Sequence, residues 1–237
     1  WRGFGGVTDF NGVSFETYTW AAGLAEATER IMLFATSHVS TVHPVAAAKQ
    51  AVTIDHISGG RFGINLVMGW FRPEMEMFGG HMLDHDDRYA YGAEWLSIAR
   101  RLWTEKEPFD VDGRFFKLTG VQGHPKPVQL PHPVLINAGT SPAAIEFAAR
   151  DVDVCFATLS NPASIAKHAG IKTKALVEHG REVSLFASAL VICRDSQAEA
   201  ERDYERILEH GDFEAARNMM EVLGIESQSF NDRLSTV

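Results

Sequence analysis

The stretch "INLVMGWFRPEMEMFGG" (residues 64–80) opens as an apolar run, admits a single carboxamide at Asn65, halts at Gly69 and then places two acids, Glu74 and Glu76, among aromatics and methionines. Such a run, bounded by glycine, reads as a buried strand of the kind found in parallel sheets covered by helices. Its neighbours support that reading. Upstream, "PVAAAKQAVTIDHI" (44–57) repeats Ala47, Ala51, Ile54 and Ile57 at helical spacing, and Gly59 and Gly60 mark the stop before the strand. Before it, "IMLFATSHVS" (31–40) is a second β-rich run.

The same alternation continues downstream. Residues 86–104, with Tyr89, Ala93, Leu96, Ala99 and Leu102 on one face, predict an amphipathic helix. "FDVDGRFFKL" then carries an Asp-Gly turn between alternating flanks, so residues 107–122 read as a hairpin excursion. "HPVLINAGTS" is a strand and turn, and "SPAAIEFAAR" is a helix with Ser141 as N-cap and Pro142 in first position. "VDVCFATL", a helix over 161–179, the strand "EVSLFASALVIC" (182–193) and a helix over 196–209 complete the series, leaving an irregular or weakly helical tail at 211–237. Strand followed by helix, about five times over, leaves two α/β architectures open: a doubly wound open sheet or a closed (β/α)8 barrel.

Composition narrows the functional classes. The chain has 237 residues, a formal net charge of −9 and 45% hydrophobic residues, so it reads as globular, in one domain or two, with no broad attraction to nucleic acid or an anionic membrane. Its apolar stretches fall short of the length that spans a bilayer. Cys155 and Cys193 sit far apart, each in an apolar run, which predicts buried free thiols in a reducing, cytoplasmic setting.

In both architectures ligands meet the loops after the strands' carboxyl ends. Those loops carry Thr36, Ser37 and His38, then Asn65 and Gly69, then Gly139, Thr140 and Ser141. Nucleotide fingerprints such as GxGxxG and GxxxxGK[ST] are absent. "AGTSPAA" is a different kind of phosphate candidate, with small residues and a helix N-terminus, although an ordinary capped helix has the same appearance. His81, His85, Asp86 and Asp87 lack a third ligand at metal spacing; a helix cap at Asp86 explains them, and no metal is expected. A lone histidine such as His38 is more often structural than catalytic, and Glu74 and Glu76 are more often solvated loop acids than an acid/base pair. Neither cysteine has a nearby histidine and no serine lies in GxSxG, so covalent hydrolysis lacks support.

Four segments in order, "TIDHISGGRFGINLVMGWFRPEMEMFG", "HDDRYAYGAEWL", "PKPVQLPHPVLINAGTSPAAIEFAAR" and "GREVSLFASALVICRDSQAEAE", resemble the bacterial luciferase-like flavin monooxygenases, and most closely the branch with the pyrimidine, dimethylsulfone and alkanesulfonate enzymes. The resemblance runs from about Thr28 to Glu209 and implies a TIM-type barrel, of which this chain holds about five of eight strands. It implies FMN as cofactor, delivered as FMNH2 by a separate NAD(P)H:flavin reductase, with O2 forming a flavin peroxide or hydroperoxide that oxygenates a small-molecule substrate. By the same resemblance Asn65 and Glu74 contact the flavin, Arg88 and Tyr89 lie near the phosphate, Ser141 touches it with Thr140 beside it, and Thr36 faces the reactive side of the ring. Thr36 and His38 are then the catalytic candidates on this chain. Trp70, Phe71 and Met75 become shielding around the flavin edge, and a non-proline cis peptide is expected near Thr36. The resemblance also implies a homo-oligomer. Two strands before Thr28 and a further strand and helix after Glu209 are wanting, so the chain is expected to be part of a longer enzyme or to have its sheet edges covered by another chain. Two alternatives share these residues: a deazaflavin-dependent oxidoreductase of the same superfamily, and a non-catalytic flavin-binding or assembly protein.

Overall fold

A computed structural model describes residues 3–158 and 162–226. The chain divides into two compact units, one spanning Phe15–Phe186 and the other combining the N-terminal residues up to Ser14 with those from Ala187 onward.

The larger unit alternates strand and helix. After α1 (Thr17–Ala27) come β1 (Leu33–His38), α2 (Pro44–Ser58), β2 (Phe62–Val67), the short α3 (Arg72–Met77) and α4 (His85–Thr104). A two-stranded antiparallel hairpin, β3 (Phe109–Asp112) and β4 (Lys117–Val121), precedes β5 (Val134–Asn137), α5 (Pro142–Asp151), β6 (Val154–Thr158), α6 (Pro162–His179) and β7 (Ser184–Ser188). The main sheet has the order β1-β2-β5-β6-β7, and the pairs β1–β2, β2–β5 and β5–β6 are all parallel. Neighbours run in sequence order with the hairpin inserted between the second and third strands, the progression of successive barrel staves and not the reversal of a doubly wound sheet.

Local chemistry fixes the element ends. The Glu16 carboxylate caps α1 by accepting from the N–H groups of Tyr18 and Thr19 at 3.0 and 2.7 Å. Helix α2 starts at Pro44 and ends at Gly59, whose φ of 64° is the left-handed cap that closes a helix before a strand. Ser141 caps α5 by accepting from the Ala144 N–H at 3.2 Å, with Pro142 at the first position.

The register Leu33↔Phe62, Ala35↔Ile64 and Ile64↔Leu135 aligns the apolar residues of three strands on one face. That face packs against the helices, so Phe62, Ile64, Leu66 and Leu135 join Trp95, Leu96 and Phe147 in one buried cluster. Two polar anchors hold the layer. The fully buried Asp55 carboxylate accepts from the Val128 and Gln129 N–H groups and the Gln129 side chain at 2.6, 3.0 and 2.7 Å. Arg61 donates to the carbonyls of Ala25, Thr28 and Ile31 at 3.2, 2.7 and 2.8 Å, closing the end of α1 onto β2. The hairpin is tethered to α4 by Glu94, which accepts from the backbone N–H groups of Arg114, Phe115 and Phe116.

The smaller unit contains α7 (Gln197–Glu209) and α8 (Phe213–Glu226). Asp212 accepts from the Thr8 N–H and hydroxyl at 2.7 and 2.8 Å, and Asn218 donates to the Phe4 carbonyl at 2.7 Å. Among the described residues no helix is long and apolar enough to cross a membrane.

Several expectations need correction. The strand expected at 182–193 stops at Ser188; Leu190 and Val191 beyond it are both 77% exposed, and Cys193 is an exposed thiol where a buried one was expected. Cys155 is buried as expected. Ile57 drifts off the packed face of α2 into solvent as the helix ends. Asp86 is not the cap of α4: Asp84 holds that position, without a side-chain hydrogen bond. The cis peptides among the described residues precede Pro125 and Pro131, and none lies near Thr36.

Candidate active site

Side chains on a strand alternate between faces. With Leu33, Ala35, Ile64 and Leu135 turned to the helices, Thr36, Asn65 and Ile136 occupy the opposite face in one transverse row, Thr36↔Asn65↔Ile136. At its centre the Asn65 amide donates to the Thr36 hydroxyl at 3.2 Å, while the Asn65 carbonyl oxygen is buried without a hydrogen-bond partner. A buried acceptor left in that state carries a desolvation cost of about 1–3 kcal/mol, which a donor from a bound molecule offsets. Thr36 is fixed from behind, because the Thr17 hydroxyl donates to its carbonyl at 2.8 Å.

His38 lies two residues beyond Thr36 on the same face, at the carboxyl end of β1. The Thr41 N–H donates to its carbonyl at 2.9 Å, and its ring Nδ1 is in close contact with a Glu74 carboxylate oxygen. Glu74 is 4% exposed. It is therefore not a solvated loop acid: Pro73 helps start the short helix α3, whose first turn folds Glu74 and Met75 inward and leaves Glu76 and Met77 in water. Gly69 makes that turn possible. Its φ of 92° suits glycine, and a Cβ there would run into the Met75 methyl. Trp70 and Phe71 pack on each other with ring centroids 5.4 Å apart, half-buried beside the buried Met75.

A second cluster forms where α4 meets the β5–α5 turn. Arg88, in the first turn of α4, donates to the Gly69 carbonyl. Tyr89 follows it, and burial pushes its phenol above the usual range, opposed by a hydrogen bond with Ser141 and by the Arg88 charge. Ser141 is 3% exposed. Gly139 is where these groups converge: a Cβ there would collide with the Tyr89 hydroxyl and the Ala144 methyl. Glycine at this position thus lets Tyr89 and Ala144 pack against the turn directly before the N-terminus of α5. Thr140 sits half-buried between the two.

Sequence reading passed over Asn137. It lies on the helix-facing side at the end of β5, donates to the Leu66 carbonyl at 2.9 Å and accepts from the Gly139 N–H at 3.1 Å, so it shapes the turn that presents Ser141. The signal was available, since "IN" ends an apolar run at 64–65 and again at 136–137. Ser40, whose buried hydroxyl has no hydrogen-bond partner and lies beside Gly69, was also missed. Of the expected residues, Thr36, Asn65, His38 and Glu74 form one group; Arg88, Tyr89, Thr140 and Ser141 form the other. The Arg88–Gly69 hydrogen bond joins α4 to the backbone that precedes Glu74. His85 pairs with Asp86 at 3.0 Å and its ring packs against Tyr89 with centroids 5.3 Å apart.

With this geometry in view, residues 2–233 match the luciferase-like monooxygenases. The chain belongs to that family. Among curated members, it is 36% identical over 238 residues to "Pyrimidine monooxygenase RutA" of Escherichia coli strain SMS-3-5, a match covering 98% of this chain and 64% of the relative. The family member therefore spans less than two thirds of the relative it matches. Among solved structures it superposes on a riboflavin lyase, RcaE, described with modified FMN and riboflavin, with a TM-score of 0.84 at 22% identity over 94% of this chain and 57% of that one. It also superposes on a 3,6-diketocamphane monooxygenase of Pseudomonas putida in complex with FMN, with a TM-score of 0.69 at 17% identity over 87% of this chain and 64% of that one. These structural likenesses establish the barrel-type fold expected from the strand order, here with a five-stranded sheet among the described residues.

Proposed function

We propose that this chain carries the flavin site of an FMNH2-dependent, two-component monooxygenase that places one oxygen atom of O2 on a small organic substrate. The observation that carries this reading is the row Thr36–Asn65 with its buried, partnerless carboxamide oxygen, set on the same sheet as the glycine-lined turn at Gly139. A planar heterocycle with ring N–H donors satisfies the first, and a phosphate satisfies the second.

In this assignment Asn65 and Thr36 face the ring, and Ser141, Thr140, Tyr89 and Arg88 surround the phosphate, with Arg88 as the cation. Glu74 meets His38, which lies two residues beyond Thr36 on the same face, and in this assignment borders the same space. Trp70, Phe71 and Met75 limit water at its edge. Reduced FMN supplies the electrons and the means of activating oxygen. The chain's own groups bind, orient and exclude water, and His38 provides a ring nitrogen for proton transfer. A separate flavin reductase is the expected partner, in the cytoplasm, and the working protein is a homo-oligomer.

The test is oxygen uptake by the full-length protein with FMNH2 regenerated by a flavin reductase. The first substrate is uracil, in view of the pyrimidine relative, followed by dimethyl sulfone, an alkanesulfonate and a long-chain alkane. Substrate-dependent uptake with a product one oxygen heavier supports the reading. Hydride transfer from a deazaflavin without oxygen consumption, or FMN binding with no turnover on the whole panel, replaces it with one of the two alternatives.

A further inference from the structure

His38 and Glu74 are separated by 36 residues, yet their side chains are in direct contact. The contact is asymmetric in a way that matters chemically. Glu74 is 4% exposed and His38 is 28% exposed, so a buried carboxylate lies against a partly exposed imidazole. Nδ1 is the nitrogen engaged with Glu74; Nε2 has no hydrogen-bond partner among the described residues. His38 shares the face of Thr36 and Asn65, two residues along the strand from the Thr36–Asn65 hydrogen bond.

Everything that holds the imidazole lies on its Nδ1 side or on its backbone. The Val39 N–H donates to the Val67 carbonyl at 3.1 Å, which extends the β1–β2 ladder past His38, and the Thr41 N–H and hydroxyl bind the His38 carbonyl at 2.9 and 3.1 Å. Glu74 is in turn fixed by the first turn of α3 and by Gly69, whose lack of a side chain admits Met75 beside it. A carboxylate accepts only, so its contact selects the tautomer with the proton on Nδ1 and leaves a lone pair on Nε2. Free neutral histidine prefers the opposite tautomer. Such an orienting carboxylate is the arrangement that makes a histidine a directed base.

We propose that Glu74 is a positioning residue for His38, holding the Nδ1–H tautomer so that Nε2 is the proton-accepting atom offered to the flavin and substrate side of the sheet. The inference rests on the flavin reading for the identity of the molecule above the sheet, but not for the dyad itself. In the step it serves, an N–H or O–H group of the bound molecule gives its proton to Nε2, the electron pair stays on that nitrogen or oxygen, and the resulting imidazolium is held against the Glu74 carboxylate. No electrons are transferred. The assignment departs from direct flavin contact as the role of Glu74: its carboxylate reaches the bound molecule through His38.

Side-chain 15N NMR of the full-length protein at pH 8 reads the tautomer, with the His38 signals identified by their loss in His38→Gln. The expected result is an Nδ1 that carries the proton and a bare Nε2 in the wild type. Glu74→Met, which removes the acceptor at similar volume, should return His38 to the Nε2–H form. Glu74→Asp, which retains a shorter acceptor, should preserve the Nδ1–H form at least in part. A wild-type His38 protonated on Nε2, or a tautomer unchanged in Glu74→Met, overturns the proposal. If Glu74→Met does not fold, the wild-type tautomer and Glu74→Asp still decide it. Saturating FMN should then shift the wild-type Nε2 resonance; tight FMN binding with no shift refutes the placement of Nε2 on the ligand side. Failure of the wild type to bind FMN instead defeats the flavin reading and leaves the tautomer result standing.

Discussion

Replacing Ser141 by alanine separates two jobs that one hydroxyl performs. The Ser141 oxygen accepts from the Ala144 N–H at 3.2 Å, which caps α5, and its hydrogen bond with Tyr89 is the one a bound phosphate oxygen would take over. Loss of an N-cap costs about 1 kcal/mol of stability, and in a chain of this length that lowers the melting temperature by about 2–4 °C. Loss of a charge-assisted hydrogen bond to phosphate costs about 1.5–3 kcal/mol of affinity, or roughly a tenfold to a hundredfold rise in Kd. Riboflavin has the same ring system as FMN but no phosphate, so the two ligands form a cycle with the two proteins. Flavin fluorescence titration should show Ser141→Ala weakening FMN by that factor while changing riboflavin affinity by less than about threefold, and a melting curve should show the cap loss in the absence of ligand. Equal weakening of both flavins would place Ser141 under the ring or reduce it to a cap. No weakening of either would remove the phosphate from the β5–α5 turn altogether.

Three further perturbations follow. Asn65→Leu removes a carboxamide whose single hydrogen bond is 3.2 Å long and whose oxygen is unsatisfied; its unfolding free energy in urea should stay within about 1 kcal/mol of wild type, while FMN affinity falls at least about tenfold by titration. Asp55→Ala strips the acceptor from three donors around Val128 and Gln129 in a fully buried position; with each stranded buried donor costing about 1–3 kcal/mol, it should lose at least about 3 kcal/mol in urea unfolding, and a loss below about 1 kcal/mol would contradict the anchor role. Burial depresses the His132 imidazole, although Asp153 and the Pro133 carbonyl oppose this. The folded chain therefore takes up its proton at lower pH than the unfolded chain, so the His132 contribution is intact above the unfolded value of about 6.5 and disappears as pH falls through the folded value. Urea midpoints measured at pH 8 and at pH 5 should fall more in the wild type than in His132→Asn.

The alternation of strands and helices was readable because each element carries its own punctuation. Gly59 ends α2, and Ser141 and Pro142 open α5; in the hairpin Asp112 stays in the strand opposite Lys117 and Gly113 begins a four-residue loop. The choice between open sheet and barrel was not readable from periodicity, since both use the same βα units; strand order decides it, and strand order is a long-range fact. At the site, residues at strand ends were legible as polar interruptions of apolar runs, which is how Thr36, Asn65 and Ser141 stood out. Glu74 was not. The sequence shows two acids two residues apart, and only the short helix begun beside Pro73 decides that Glu74 turns in and Glu76 turns out. Cys193 failed for the converse reason: an apolar run can be exposed where the element ends early, and β7 ends at Ser188.

One feature of β2 explains why the site is where it is. Phe62, Ile64 and Leu66 are fully buried against the helices, which commits Gly63, Asn65 and Val67 to the other face. On that face the Phe34 ring lies across Gly63, where a Cβ would collide with it, and Phe156 and Phe186, each adjacent to a residue packed on the helix side, are 36% and 47% exposed. A one-residue slip of β2 would exchange Asn65 for Leu66 on this face and bring a carboxamide into the helix layer, at the cost of an unsatisfied buried amide and three displaced core side chains. The burial of the helix-facing residues therefore enforces the register that sets Asn65 opposite Thr36. Fold stability and the polar row are fixed by the same constraint, so Asn65 can hold an unsatisfied oxygen there without the strand shifting to relieve it.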